Sequence, residues 1–239
     1  MKKDQTSTRD KRSLMDENPE ISNNPVLLMV YIHSDLDGYD IDKLNKDYFS
    51  WARTELQNIS NRNIDMILIT KSTSPEMANF DYKNVSSAYS LHRWSQLVDK
   101  TSLRIPAAQS YHPELIKHLL LTRDLINSKV AGIAYNKGQF GISSINDYMT
   151  PAHEIAHMFG ATHEDAEVIY NRWPHAPVIP TLAIGHLFGA VDEDTEIFYN
   201  GWWYNTIMND GKNTAFKGNA YRFSDKNREN IRKYLSQYD

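Results

Sequence analysis

The stretch Thr150-Pro151-Ala152-His153-Glu154-Ile155-Ala156-His157-Met158-Phe159-Gly160-Ala161-Thr162-His163 constrains this chain more than any other. Thr150 ahead of Pro151 predicts a helix start, with Thr as the N-cap and Pro at the first helical position. On that helix His153 and His157 stand four residues apart and share a face, which lets two imidazoles grip one small cation. Glu154 projects about 100° further round the helix. It would sit beside such a cation rather than on it, placed to accept a proton from water. Gly160 predicts the end of the helix, because a left-handed residue there costs glycine no Cβ clash. The turn that follows would bring His163 back as a third ligand. Three neutral nitrogen ligands leave one position open, the pattern of a catalytic zinc ion rather than a structural one. Ile155, Ala156, Met158 and Phe159 predict that the helix is mostly buried, so the site rests on a packed element.

The bland reading of the same residues is an amphipathic helix with surface histidines. The short H-E-x-x-H core could arise by chance, but the added Gly160 and His163 make that much rarer.

Composition narrows the classes around this site. A chain of 239 residues, 41% hydrophobic and 23% charged, can bury a sizeable core. A net charge of -4 gives no electrostatic case for binding nucleic acid or an anionic membrane. No apolar run approaches the roughly 20 residues of a membrane span. The chain has no cysteine, which excludes disulfides and cysteine-ligated structural zinc. That argues against a typical secreted animal protein, which would be disulfide-braced, and fits a bacterial one.

Residues 1–24 mix charged and small polar residues without periodicity and are expected to form a flexible tail. Residues 25–239 are expected to form one α/β (α+β) domain, with an upper lobe at 25–163 and a lower lobe at 164–239. Val26 to His33 reads as a strand. Asp40 then caps an amphipathic helix carrying Ile41, Leu44, Tyr48, Ala52, Leu56 and Ile59, and Ile64 to Thr70 reads as a second strand. This β-α-β opening predicts two parallel strands. Ser72 to Ser87 reads as loop, and Ala88 to Val98 as either a strand or a helix. His112-Pro113 predicts the start of a helix running to Ile126, with Leu115, Leu119 and Leu120 inward. Lys129 to Tyr135 and Phe140 to Ile145 read as further strands. Phe223-Ser224 predicts the cap of a final helix from Asp225 to Ser236. Asp192-Glu193-Asp194 could bind calcium through oxygen ligands, although without regular ligand spacing it also reads as a solvated loop.

The pattern H-E-x-x-H-x-x-G-x-x-H resembles the signature of the metzincin metallopeptidases. These enzymes add a methionine turn beneath the metal, and Thr206-Ile207-Met208 looks like that turn. The order Leu119 to Asp124, Val130 to Tyr135, then Gly141-Ile142-Ser143 is similar to the reprolysin (adamalysin) branch. There, a leucine-rich helix leads to an edge strand above the cleft. The resemblance implies a mixed twisted sheet with helices, the zinc helix on the cleft floor, and a small irregular C-terminal lobe ending in a helix. It implies that Gly132, Ile133, Ala134 and Tyr135 form the edge strand that pairs with an extended substrate, and that Asn209 and Asp210 help shape the pocket beyond Met208. Two departures stand out. Reprolysins usually have Cys before the turn and Pro after it, where this chain has Thr206 and Asn209-Asp210. The tyrosine ligand of astacins and serralysins would fall at Asp210.

The expectation is therefore a zinc endopeptidase with ligands His153, His157 and His163 and general base Glu154. It would be monomeric, act on a protein or peptide substrate and work outside the cell, although the N-terminus has no signal-peptide core. The alternatives are a peptidase-like zinc-bearing binding module and a toxin-like protease of narrow specificity.

Overall fold

Strand β1 (Val26–Ile32, VLLMVYI) is buried at every position, as a strand covered on both faces must be. Its alternate residues serve two cores: Val26, Leu28, Val30 and Ile32 join one, and Leu27, Met29 and Tyr31 the other. This computed structural model describes residues 24–101, 106–172, 201–209 and 217–239. The expected tail up to residue 23, the acidic cluster Asp192-Glu193-Asp194 and Asp210 lie outside those residues.

Asp40 caps the first helical segment as expected, its Oδ1 accepting from the N–H groups of Asp42 and Lys43. The helix begins as α1 (Ile41–Leu44), passes through a π turn at Asn45–Phe49 and continues as α2 (Ser50–Ser60). It leads to β2 (Ile64–Ile69), which pairs parallel with β1 in register Val26 to Ile64. A short helix α3 (Pro75–Ala78) interrupts the expected loop. The segment readable as strand or helix is α4 (Ser87–Thr101), which places Leu91, Trp94 and Val98 in the second core.

The helix expected from His112 to Ile126 is not there. A single 3-10 turn at Pro113–Leu115 gives way to β3 (Ile116–Thr122), paired parallel with β1 on one side and with β5 (Phe140–Ser144) on the other. Leu119 and Leu121 enter one core and Leu120 the other. A leucine run buried on both faces loses the two-residue alternation that marks a strand, and tertiary burial then overrides the helix propensity of leucine and lysine.

The sheet order is β2-β1-β3-β5-β4. Strand β4 (Gly132–Ala134), shorter than the expected Lys129 to Tyr135, is the one antiparallel strand and forms an edge. The fold is thus a mixed five-stranded α/β sheet, with α4 on one face and α2, α5 (Thr150–Met158) and the C-terminal helix α6 (Asp225–Leu235) on the other. A second, three-stranded sheet joins β6 (Val168–Arg172), β7 (Gly201–Asn205) and β8 (Gly218–Asn219). Ile207, Met208, Phe223 and Ile231 from the C-terminal part share the first core with Ile155, Ala156 and Phe159 of the histidine-bearing stretch. Ser224 caps α6 as expected, accepting from Asn227 N–H. Among the described residues no helix is long and apolar enough to cross a membrane.

Candidate metal centre

Helix α5 begins one residue earlier than the cap reading predicts. Thr150 is its first residue and Met149 takes the cap position without a side-chain cap bond, while Asp147 Oδ1 accepts from Met149 N–H at 2.7 Å just ahead of the helix. The buried face carries Ala152, Ile155, Ala156 and Met158 against β3, β4 and β5. Gly160 ends the helix at φ +88°, as the sequence requires.

The turn brings His163 to the two helical histidines. Its Nε2 lies 2.8 Å from Nε2 of His153 and 3.1 Å from Nε2 of His157. Among the described residues these three form the group able to hold a metal ion. The tautomers follow from the partners. Nδ1 of His153 lies 2.9 Å from the Ile207 carbonyl, and Nδ1 of His157 lies 3.0 Å from the Ala161 carbonyl. A carbonyl only accepts, so each Nδ1 carries the proton and each Nε2 turns a lone pair toward one common point. Lone pairs that converge in this way suit a cation between them. Donors bound tetrahedrally at 2.0–2.1 Å would stand about 3.3 Å apart, close to the spacing found. The histidines therefore fit zinc. Burial holds the His157 pKa below its ordinary value, which favours the neutral, ligating form.

The Ile207 carbonyl on His153 belongs to the segment read as the methionine turn. Asn209 N–H closes that turn onto the Thr206 carbonyl at 3.1 Å, and Met208 is wholly buried in the same core as α5. Asn209 lines the cleft.

Glu154 is 5% exposed and lies against the edge strand. A Cβ on Gly132 would come within 2.5 Å of its Oε1 and 2.6 Å of its Cγ, so only glycine leaves room for this carboxylate. Burial alone raises its pKa to about 8, and among the described residues no protein donor reaches it. A dication beside it would pull that value back down.

Strand β4 presents part of its backbone outward. Tyr135 N–H donates to Phe140 and Ser144 N–H to the Ala131 carbonyl. With the register Ile133 to Ile142, residues 131, 133 and 135 bond toward β5, and Gly132 and Ala134 turn their N–H and C=O groups to the sheet edge, which is open among the described residues. The four residues expected to align a substrate thus divide into two that face outward and two that hold the strand in place. His153, Glu154, His157, His163, Gly132 and Ala134 all line one cleft of about 730 Å³.

Two contacts around the site escaped the sequence reading. Asn227 on α6 is fully buried and bonds both backbone groups of Thr162: its Oδ1 accepts from Thr162 N–H at 2.8 Å, and its Nδ2 donates to the Thr162 carbonyl at 3.0 Å. Lys117 on β3 is also fully buried. Its Nζ donates to the Gly138 carbonyl at 2.8 Å and to Tyr234 Oη at 2.9 Å, between the rings of Phe159 and Tyr234. A fully buried asparagine shows no local signal. A lysine inside a leucine-rich strand does, because a buried ammonium needs partners.

No protein-family model matches the chain, and no curated protein matches it. Among solved structures it is similar to a zinc-dependent peptidase from Methanocorpusculum labreanum, at 15% identity and a TM-score of 0.45, over 85% of this chain and 99% of that one.

Proposed function

We propose that this protein is a zinc endopeptidase of the metzincin type, with His153, His157 and His163 as metal ligands and Glu154 as the general base. One observation carries the reading: three converging imidazole nitrogens and a buried carboxylate share a cleft whose wall is an open strand edge. Zinc, when bound, supplies a water of lowered pKa and polarises a carbonyl. The outward backbone groups of Gly132 and Ala134 pair with an extended peptide and set its carbonyl over the site. Glu154 takes a proton from the attacking water and passes it to the leaving amine. The buried carboxylate suits this exchange, because among the described residues no protein hydrogen bond locks either of its protonation states.

The test is Glu154→Gln. The variant should keep its zinc and lose chelator-sensitive cleavage of casein by about 10²- to 10⁴-fold. Cleavage at the wild-type rate would remove Glu154 from the mechanism. If the zinc-loaded wild type cleaved no substrate in casein or a broad peptide library, a binding module would replace the peptidase reading.

A further inference from the structure

The three histidines are held in two different ways. His153 and His157 stand on one packed helix, and each ring is fixed through Nδ1 by a backbone carbonyl. His163 is exposed, follows the helix by several residues, and has no such carbonyl on its ring among the described residues. The backbone on both sides of it is gripped by α6 and its cap. Asn227 holds both main-chain groups of Thr162, the residue before it. Ser224 Oγ donates to the Asp165 carbonyl, and Asn230 Nδ2 donates to Asp165 Oδ2 at 2.7 Å, two residues after it. Asp165 Oδ2 also accepts from Thr162 Oγ1 at 3.2 Å, which closes the loop across His163.

Helix α6 is itself fixed to the body of the fold. Arg228 bonds Glu55 of α2 through two parallel contacts of 3.1 Å, and Ile231 and Leu235 are buried in the main core. A side-chain amide that is 0% exposed and meets one peptide unit with both its donor and its acceptor acts as a rigid strap.

We infer that Asn227 is a positioning residue for the third metal ligand, and that the C-terminal helix, through Asn227 and Asn230, sets where His163 stands. This rests on the three histidines being the metal ligands and is independent of the reaction they serve. Partners of this kind that orient a ligand change metal affinity by 10- to 100-fold when removed.

A double-mutant cycle read by metal affinity tests it, using chelator competition for zinc and the visible spectrum of the cobalt-substituted protein. Asn227→Ala should weaken zinc binding by 10- to 100-fold and alter the cobalt spectrum. In a His163→Ala background the same change should cost no further affinity, because the ligand it serves is gone. An equal loss in both backgrounds would mean general damage to the fold and would overturn the inference, as would no loss in either. If Asn227→Ala fails to fold, Asn230→Ala, at a half-buried position, enters the same cycle. It should act in the same direction by a smaller factor, again only where His163 is present. A wild-type protein that binds no zinc defeats the metal-site reading, whereas zinc binding without coupling between Asn227 and His163 defeats only this one.

Discussion

The Glu154 carboxylate occupies the space that a Cβ on Gly132 would fill, 2.5 Å from its Oε1. The edge strand and the proposed base are therefore in direct contact, and the strand sets where the carboxylate stands. Gly132→Ala should fold and keep its zinc, since the clash falls on a side chain that can swing. It should lower kcat by roughly 10- to 100-fold, because displacing a reacting group by about 1 Å costs on that order. KM should stay nearly constant, because the outward backbone groups of Gly132 survive the change. Steady-state kinetics on one peptide checks the split. A change confined to KM would show that the contact does not position the base.

The outward N–H of Ala134 can be removed without touching the β4–β5 ladder. Ala134→Pro keeps the edge strand within what proline tolerates and deletes one donor to the proposed substrate. A lost hydrogen bond of about 1 kcal/mol predicts KM roughly five- to tenfold higher. Thermal unfolding should change little. An unchanged KM would mean that peptides do not lie along β4.

Loading the histidines should stabilise the fold. At free zinc about 1,000 times Kd, linkage adds about 4 kcal/mol. For a chain of this size that raises Tm by roughly 8–16 °C. His157 is already held toward its neutral form by burial, so the gain should be full near neutral pH and fade in acid as the ligands protonate. Calorimetry with and without chelator reads this directly. Equal Tm in both would exclude metal binding to the native state.

Lys117 makes a separate prediction about pH. Burial lowers its pKa from 10.5 to about 7. Between those values the unfolded chain holds a proton that the folded chain lacks, so stability rises with pH across that window and is lowest below it. The Gly138 carbonyl and the two ring faces favour the ammonium form and oppose burial. The rise is therefore smaller than the full shift and on the order of 1–3 kcal/mol. Lys117→Met should flatten it. Denaturant unfolding at three pH values between about 6.5 and 9.5 compares the slopes, and identical slopes would place the proton elsewhere.

The candidate metal centre was legible in the sequence because its parts are local. His153, Glu154 and His157 are set by helix periodicity, and Gly160 with its positive φ makes the turn to His163. The cap of α6 at Ser224 and the opening β-α-β unit were legible for the same reason. What surrounds the site was not. Asn227 lies 65 positions from its partner Thr162, and nothing in its neighbourhood marks it as buried. The Gly132 contact depends on how an edge strand packs on a helix, which no spacing encodes. The misreading of β3 has a physical cause: Leu119, Leu120 and Leu121 are buried on both sides of a central strand, so the pattern carries no face. The helix propensity of such residues yielded to the parallel pairing with β1 and β5.

Strand β4 is only three residues long, bounded by the bridge between Asn127 and Val130 and the turn from Tyr135 to Gly138. It offers a guest chain two residues' worth of main-chain bonding, a few kcal/mol in all at about 1 kcal/mol for each bond. A longer edge would hold its guest longer and would invite copies of the protein to pair through it. Under the proposed function, an edge this short would align a peptide and let the pieces go once the chain is cut, so departure of the products would not limit turnover.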